Sequence, residues 1–390
     1  METEVLIVGL GPAGASLSYL LARDGVDFVA VDRSGSVGKP VICGEFIPYH
    51  EELIRTDFRV NGLEELYERF VRRKDVVVNE IDRIIVEVKE GKTFRFDYRA
   101  YIVNKDVMLQ RMVEEARQLG GRILTSTRLL GVVEKGGHYV SKLSGPKGEL
   151  HIESKIIVGA DGFFSVVARS LGFERGYTSF DSALTCNQKF MDVNIDSSLT
   201  LMELSAEIAP GGYGWIIPRG GGEANVGIGV RSSIAERCNV HELQDRFVKG
   251  RKEMKRAKAL SGLMCKTIPV GGLAREIVKG NAALLGDAAG MVVPTNGGGI
   301  PTAMASAIIF SRALRSGGGV KEYEVEARRV IGGYLDVSLR YRKVADKMLF
   351  SSKKLKSRSK LIPNNWMFDI ISGKKNRMIL ALYPLLIKLF

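Results

Sequence analysis

Three glycines near the start of the chain, Gly9, Gly11 and Gly14, follow a short apolar run, Val5-Leu6-Ile7-Val8. A strand that turns through G-x-G-x-x-G into a helix presents backbone N–H groups and the positive end of a helix dipole to a pyrophosphate. Gly9 permits the tight turn, Gly11 the close approach of phosphate, and Gly14 the packing of helix on strand. Asp32 ends a second apolar run 18 positions after Gly14, where a carboxylate accepts hydrogen bonds from a ribose. Strand, glycines, helix and acid in this register predict a dinucleotide site. A second acid, Asp161, closes the run Ile156-Ile157-Val158-Gly159-Ala160 and precedes Gly162. A third, Asp287, ends Leu284-Leu285-Gly286 and leads into Asn296-Gly297-Gly298-Gly299-Ile300. There an acid can hold the ribityl chain of a flavin. Donors at Gly299 and Ile300, opening a helix, can stabilise negative charge at the flavin N1–C2=O edge.

Those acids need strands and helices to deliver them. Residues 4–33 read as strand–helix–strand, and 76–88 and 93–98 as strands rich in β-branched and aromatic residues. Apolar positions at Val107, Met108, Met112, Val113 and Leu119 predict an amphipathic helix over 105–119, closed by Gly120-Gly121. Turns at Gly136-Gly137 and Gly145-Pro146 divide a small meander that ends at Asp161. Residues 180–231 alternate as an antiparallel sheet does. Helices are expected over 239–258 and 299–315, and Ser316-Gly317-Gly318-Gly319 reads as a hinge before C-terminal helices.

Composition narrows the class. A chain of 390 residues exceeds one simple core and suggests two domains with appendages. Cys43, Cys186, Cys238 and Cys265 are scattered without C-x-x-C, so they read as reduced thiols, with no metal site expected. Glu2 and Glu4 stand where a signal peptide carries basic residues. The net charge of +13 is uneven: 13 Lys/Arg against Asp346 and Asp369 follow position 339. A basic tail on a near-neutral body favours an anionic surface. Nucleic acid fits poorly, because no aromatic residue interleaves Lys353, Lys354, Lys356, Arg358 and Lys360. The apolar run between Arg377 and Lys388 is too short to span about 30 Å of hydrocarbon, and reads as an interfacial anchor. A helix capping the substrate domain is the other reading.

The order and spacing of the three acid-bearing motifs resemble the FAD-binding set of the para-hydroxybenzoate hydroxylase-like flavoproteins over residues 1–310. Two further stretches narrow this: Pro40-Val41-Ile42-Cys43-Gly44-Glu45, and Tyr213-Gly214-Trp215-Ile216-Ile217-Pro218 with Glu223-Ala224-Asn225 after it. Both resemble the archaeal geranylgeranyl reductases that act on digeranylgeranylglycerophospholipids. The resemblance implies an α/β fold (α+β overall), with a discontinuous Rossmann-like FAD domain over 1–75, 99–170 and 268–320. It implies an inserted antiparallel β-sheet substrate domain over 76–98 and 171–267, and a basic helical region over 321–390. FAD contacts carried over by position are Gly9, Gly11, Gly14, Asp32, Cys43, Gly44, Lys105, Leu129, Asp161, Asp287, Gly299 and Ile300. Tyr213 and Trp215 are implied to face a prenyl chain. The chain departs from the family at Lys105, where Arg is usual, at Ile42 and Phe46 flanking the Cys-Gly-Glu loop, and at Ile217, where Phe is usual. Lys keeps the charge at 105 but loses the bidentate fork.

Together these features predict an FAD-dependent reductase that saturates C=C bonds of geranylgeranyl chains in membrane lipids. Cys43 and Glu45 are the candidates to tune the flavin or relay a proton. An electron donor is implied, a ferredoxin or a reduced nicotinamide, and the expected location is cytoplasmic, on the inner face of the membrane. Two rivals stand beside this. A flavin monooxygenase of an aromatic or apolar substrate shares the fold, and so does a non-catalytic prenyl-lipid carrier. As plain structural residues, Cys43 is a small buried hydrophobe, Glu45 a solvated loop acid, and Tyr213 and Trp215 domain core.

Overall fold

The computed structural model describes residues Met1–Leu389; Phe390, the last residue of the apolar end, lies outside them. The chain begins β1 (Glu2–Val8), α1 (Pro12–Arg23), β2 (Phe28–Val31), as the glycine spacing predicts. Next come β3 (Phe46–Pro48), α2 (His50–Arg55), α3 (Leu63–Leu66), then the long hairpin β4 (Val77–Val88) and β5 (Thr93–Val103). α4 (Lys105–Gln118) is the expected amphipathic helix, burying Met108, Leu109, Met112, Val113 and Ala116. β6 (Arg122–Leu124), β7 (Arg128–Lys135), β8 (His138–Gly145) and β9 (Gly148–Gly159) precede α5 (Val166–Ser170).

The second half opens with β10 (Ser182–Met191), β11 (Leu199–Leu204), β12 (Tyr213–Gly220) and β13 (Glu223–Arg231). α6 (Ser232–Ala235), α7 (Val240–Gly250), β14 (Lys258–Ala259), β15 (Met264–Pro269), β16 (Val278–Lys279) and β17 (Ala282–Leu284) follow. The chain closes with α8 (Ile300–Arg315), α9 (Gly319–Ala327), α10 (Gly333–Leu349), α11 (Ser352–Ser359), α12 (Asn364–Ser372) and α13 (Arg377–Leu389).

Two sheets organise these elements. The first has strand order β16-β17-β9-β1-β2-β6, with β7 and β8 continuing from β9 as the meander. Its central strands β17, β9, β1, β2 and β6 are parallel, and β17, β2 and the ends of β1 and β9 read as apolar runs because both of their faces are buried. α1 and α8 pack against each other and against this sheet in one large core. The second sheet runs β14-β10-β13-β12-β11-β4-β5-β3, with β15 on β10.

The second sheet departs from expectation in three ways. β4 and β11 pair in parallel, so the sheet is mixed rather than purely antiparallel. It also recruits Phe46–Pro48, and β5 stays in it as far as Val103, on the far side of the expected boundaries. The helix expected over 239–258 ends at Gly250, and the chain turns through Lys252–Met254 into β14. Arg251 forms ion pairs there with Glu87, Glu203 and Glu253, which hold the chain in an extended conformation against the sheet.

The cysteine expectation is corrected as well. Cys186 and Cys265 are disulfide-bonded, 79 residues apart, because β10 and β15 place them directly opposite each other. Cys43 and Cys238 are free.

Candidate active site

At the nucleotide end, the glycines do what their spacing requires. Gly9 has φ +96°, and a Cβ there would stand 2.5 Å from the Ala160 carbonyl oxygen. A Cβ on Gly14 would stand 1.8 Å from the Gly9 carbonyl oxygen, so any larger residue would prise α1 off the turn. Gly11 faces open space, with no protein atom within 4 Å of its would-be Cβ. That bare backbone at the start of α1 is the shape a pyrophosphate fits. Asp32 accepts hydrogen bonds from Leu10 N (2.7 Å) and Ser34 N (2.8 Å), which ties the acid to the glycine turn.

Asp161 lies behind the same turn, its Cα 2.9 Å from the Gly9 Cβ position. One of its oxygens accepts from Val166 N and Val167 N and caps α5, while Oδ1 is buried without a partner. Burial raises its pKa. Leu129 on β7 has its side chain in the core, so anything it offers a cofactor it offers through its backbone.

At the other end, β17 delivers Asp287 on a single 3-10 turn, Gly286–Ala289. Gly299 caps α8, and a Cβ on it would stand 3.5 Å from Asp287 Oδ1, so the acid and the helix N-terminus are neighbours. Opposite them lies the Cys43 loop. Asn225, fully buried on β13, donates from Nδ2 to the Cys43 carbonyl (2.9 Å) and accepts at Oδ1 from Trp215 Nε1 (2.9 Å). Ile217 Cδ1 lies 3.1 Å from where a Cβ on Gly44 would stand, so the loop rests on the face of β12. Tyr213 donates to the Asn296 carbonyl in the segment before α8, and burial raises its pKa. Cys43, Gly44, Tyr213, Trp215, Asp287, Gly299 and Ile300 therefore meet around one centre, while Gly9, Gly11, Gly14 and Asp32 form a separate group at the β1–α1 turn.

Glu45 behaves differently from the expectation of a solvated or proton-relaying acid. It is 1% exposed, and its carboxylate bonds Arg219 Nη1 at 2.5 Å and accepts from Lys105 N at 3.1 Å. Lys189 stands 3.5 Å away. Arg219, 4% exposed, also grips Glu223 and Asn104. This cluster ties the Cys43 loop, the start of α4 and β12 together. Lys105 enters it through its backbone amide.

An apolar cavity of about 140 Å³ lies beside this centre. Gly211, Gly212, Tyr213 and Trp215 form one wall, Met202 and Leu204 another, and Pro294 and Thr295 bring it to the foot of α8. Its roof is built from the C-terminal helices through Met348, Leu355, Ile362, Trp366, Met367, Ile371, Ile379 and Leu386. Arg219, Asn225 and the roof residues were not among the expected site residues. An asparagine in an otherwise apolar strand, Ala224-Asn225-Val226, is the signal that points to Asn225.

Comparison with known proteins agrees with this geometry. A profile described as an FAD binding domain matches residues 2–40, the β1–α1–β2 unit and the segment after it. A profile described as the geranylgeranyl reductase catalytic domain matches residues 181–265, the strands that carry Tyr213, Trp215 and Asn225. The digeranylgeranylglycerophospholipid reductase of Methanocaldococcus jannaschii is 29% identical over 88% of this chain and 87% of its own length. The chain is thus similar to the geranylgeranyl reductases over most of its length. An FAD-dependent oxidoreductase, it shares its fold with a geranylgeranyl bacteriochlorophyll reductase-like protein from Thermoplasma acidophilum. That structure superposes with TM-score 0.80 at 22% identity, over 98% of this chain and 99% of the other. A p-nitrophenol 4-monooxygenase from Pseudomonas putida has the same fold, with TM-score 0.68 at 17% identity over 96% of this chain and 100% of its own.

The FAD binding domain matched at residues 2–40 takes FAD, and the residues present fit it. The open Gly11 backbone suits the pyrophosphate, Asp32 a ribose, and Asp287 beside the α8 N-terminus the ribityl chain and pyrimidine edge.

Proposed function

We propose that this protein is a geranylgeranyl reductase that saturates C=C bonds in the geranylgeranyl chains of glycerophospholipids. The observation that carries this reading is the apolar cavity, walled by Tyr213 and Trp215, that reaches the foot of α8, with Cys43 within electrostatic reach of its Tyr213 wall. An apolar tunnel at that place suits a hydrocarbon chain, and the two arginines in its lining, Arg231 and Arg342, are already paired with Asp346 and Asp181. The chemistry that FAD would supply here, once bound and reduced by a donor (a ferredoxin or a reduced nicotinamide), is a hydride for one alkene carbon.

The protein does the rest. An isolated trisubstituted alkene is a poor hydride acceptor, so a proton must arrive with or before the hydride. Cys43 is half-buried, and its Sγ accepts from Glu45 N at 3.3 Å, which fixes the orientation of the thiol within its loop. Its S–H is the proton-holding group in this reading. Glu45 keeps the loop in place through Arg219 and is not itself the donor. The roof helices exclude water, and each methylene-sized group buried contributes about 0.8 kcal/mol to holding the chain.

The substrate resides in a bilayer, so the enzyme works at a membrane face. No helix among the described residues is long and apolar enough to cross a membrane. Instead, Leu361, Met378 and Leu385 are exposed on the roof, among the 13 Lys/Arg that follow position 339. Exposed apolar side chains ringed by lysines suit the interface of an anionic bilayer.

Reduced enzyme incubated anaerobically with a digeranylgeranyl glycerophospholipid should yield products that gain the mass of two hydrogens per bond. No saturated product without oxygen, followed by an oxygen-containing product once air is admitted, would transfer the site to monooxygenase chemistry. An unchanged lipid with a reducible bound flavin would refute the reading.

A further inference from the structure

The structure assigns to Lys266 the role of an FAD-holding cation, reaching across from the substrate sheet and kept in place by the Cys186–Cys265 disulfide. Lys266 belongs to β15, an edge strand that pairs with β10. Its Nζ stands 2.7 Å from Asp287 Oδ2, so a strand of one sheet delivers a charge to the acid that the other sheet places at the flavin end. The other Asp287 oxygen faces Gly299 at the start of α8 and stays available to a ribityl hydroxyl.

The Lys266 side chain is 43% exposed and Asp287 is 19% exposed, so the pair sits where a bound ligand can reach the ammonium. Asp287 raises the Lys266 pKa, with the Cys43 thiol contributing in the same direction and Arg33, the residue after the ribose acid, opposing it. Lys266 thus lies within electrostatic reach of the flavin end, of the Cys43 loop and of the adenosine end. FAD is anionic at its pyrophosphate, and its reduced ring also carries negative charge. A lysine between Asp287 and Arg33 meets one or both.

The disulfide supplies the geometry. An edge strand with hydrogen bonds on one side alone is free to fray. Cys265 is the residue before Lys266, and its bond to fully buried Cys186 fastens β15 to β10 next to the lysine. The disulfide so becomes a positioning element for the cofactor site, although it lies outside the prenyl cavity. This inference concerns FAD alone, and it stands or falls separately from the identity of the lipid.

The test is FAD titration of the deflavinated protein, followed by potentiometry of the reconstituted holoenzyme. Lys266→Met should weaken FAD binding about tenfold, the loss of one charge-assisted contact. Lys266→Arg should recover most of it. If Nζ faces the pyrophosphate, affinity falls and the midpoint potential stays. If it faces the ring, reduced FAD loses more than oxidised FAD, and a tenfold difference lowers the two-electron potential by about 30 mV. Cys186→Ser with Cys265→Ser should weaken FAD binding in the Lys266 protein and have no effect in the Lys266→Met background. Unchanged affinity and potential in Lys266→Met would overturn the assignment. An arginine variant as impaired as the methionine one would reduce Lys266 to packing. Additive losses from the cysteine and lysine changes would remove the positioning role of the disulfide.

Discussion

The Cys43 loop hangs from one buried amide, and cutting it has calculable consequences. Asn225 bridges Trp215 Nε1 and the Cys43 carbonyl through two bonds of 2.9 Å, in a fully buried position. Asn225→Leu removes both bonds and leaves an indole N–H and a carbonyl without partners. An orphaned buried group costs about 1–3 kcal/mol, so the variant should lose about 2–5 kcal/mol in urea unfolding of the FAD-loaded protein. Trp215→Phe removes only the indole N–H and orphans Asn225 Oδ1, for about 1–3 kcal/mol plus lost packing. Combined, the two changes leave a matched apolar pair on β12 and β13. The double variant should therefore lose less than the sum of the singles, by about 1 kcal/mol or more.

A second readout separates the Cys43 bond from the Trp215 bond. Reaction of the Cys43 thiol with an aromatic disulfide reagent should accelerate in Asn225→Leu, where the loop is released, and stay near the parent rate in Trp215→Phe. A Cys238→Ser background removes the other free thiol from this assay. Additive stabilities, or equal thiol reactivity in both single variants, would refute the account of how the loop is held.

Other outcomes follow from neighbouring features. Arg219→Met strands the carboxylate of Glu45, whose buried pair spans 2.5 Å, and should destabilise the protein by about 3–5 kcal/mol in the same unfolding assay, while Lys89→Met at an exposed pair should stay within about 1 kcal/mol. Alkylation of the denatured, unreduced protein should label Cys43 and Cys238 alone, and labelling of all four cysteines by mass spectrometry would contradict the disulfide. Asp181 is desolvated, which raises its pKa, but hydrogen bonds from Thr178 and the charge of Arg342 prevail and lower it below 3.8. Its contribution to stability is present above that value and lost as pH falls through the folded pKa, so Asp181→Asn should flatten the acid limb of a stability–pH profile. Met378→Ser with Leu385→Ser should reduce co-flotation with anionic vesicles at least tenfold, and binding of the parent protein should weaken as salt rises.

Much of the cofactor site could be read in the chain because its chemistry is local. Gly9, Gly11 and Gly14 are spaced by the geometry of one turn, and Asp32 and Asp287 each end a strand that is itself an apolar run. α4 and α8 were legible for the same reason, since periodicity is a property of a single segment. What the sequence hid is set by register between distant strands. Cys186 meets Cys265 only once β10 and β15 align, and Arg219 meets Glu45 across 174 positions. Glu45 read as a proton-relaying acid, or plainly as a solvated one, because nothing within the loop announces its partner. The parallel pairing of β4 with β11 is likewise a choice among sheet neighbours that alternation alone does not make. The roof of the cavity was hidden because α10–α13 read as a charged tail, and their buried side chains Leu355, Met367 and Ile371 emerge only on folding.

The central claim is that a prenyl chain in the Tyr213–Trp215 cavity is reduced by the flavin beside Cys43. Anaerobic mixing of dithionite-reduced holoenzyme with substoichiometric digeranylgeranyl glycerophospholipid tests it most directly, followed by flavin absorbance and by product mass. The account predicts flavin reoxidation in the absence of oxygen, one equivalent for each double bond lost, and none with the fully saturated lipid. Flavin that stays reduced until air is admitted would contradict it.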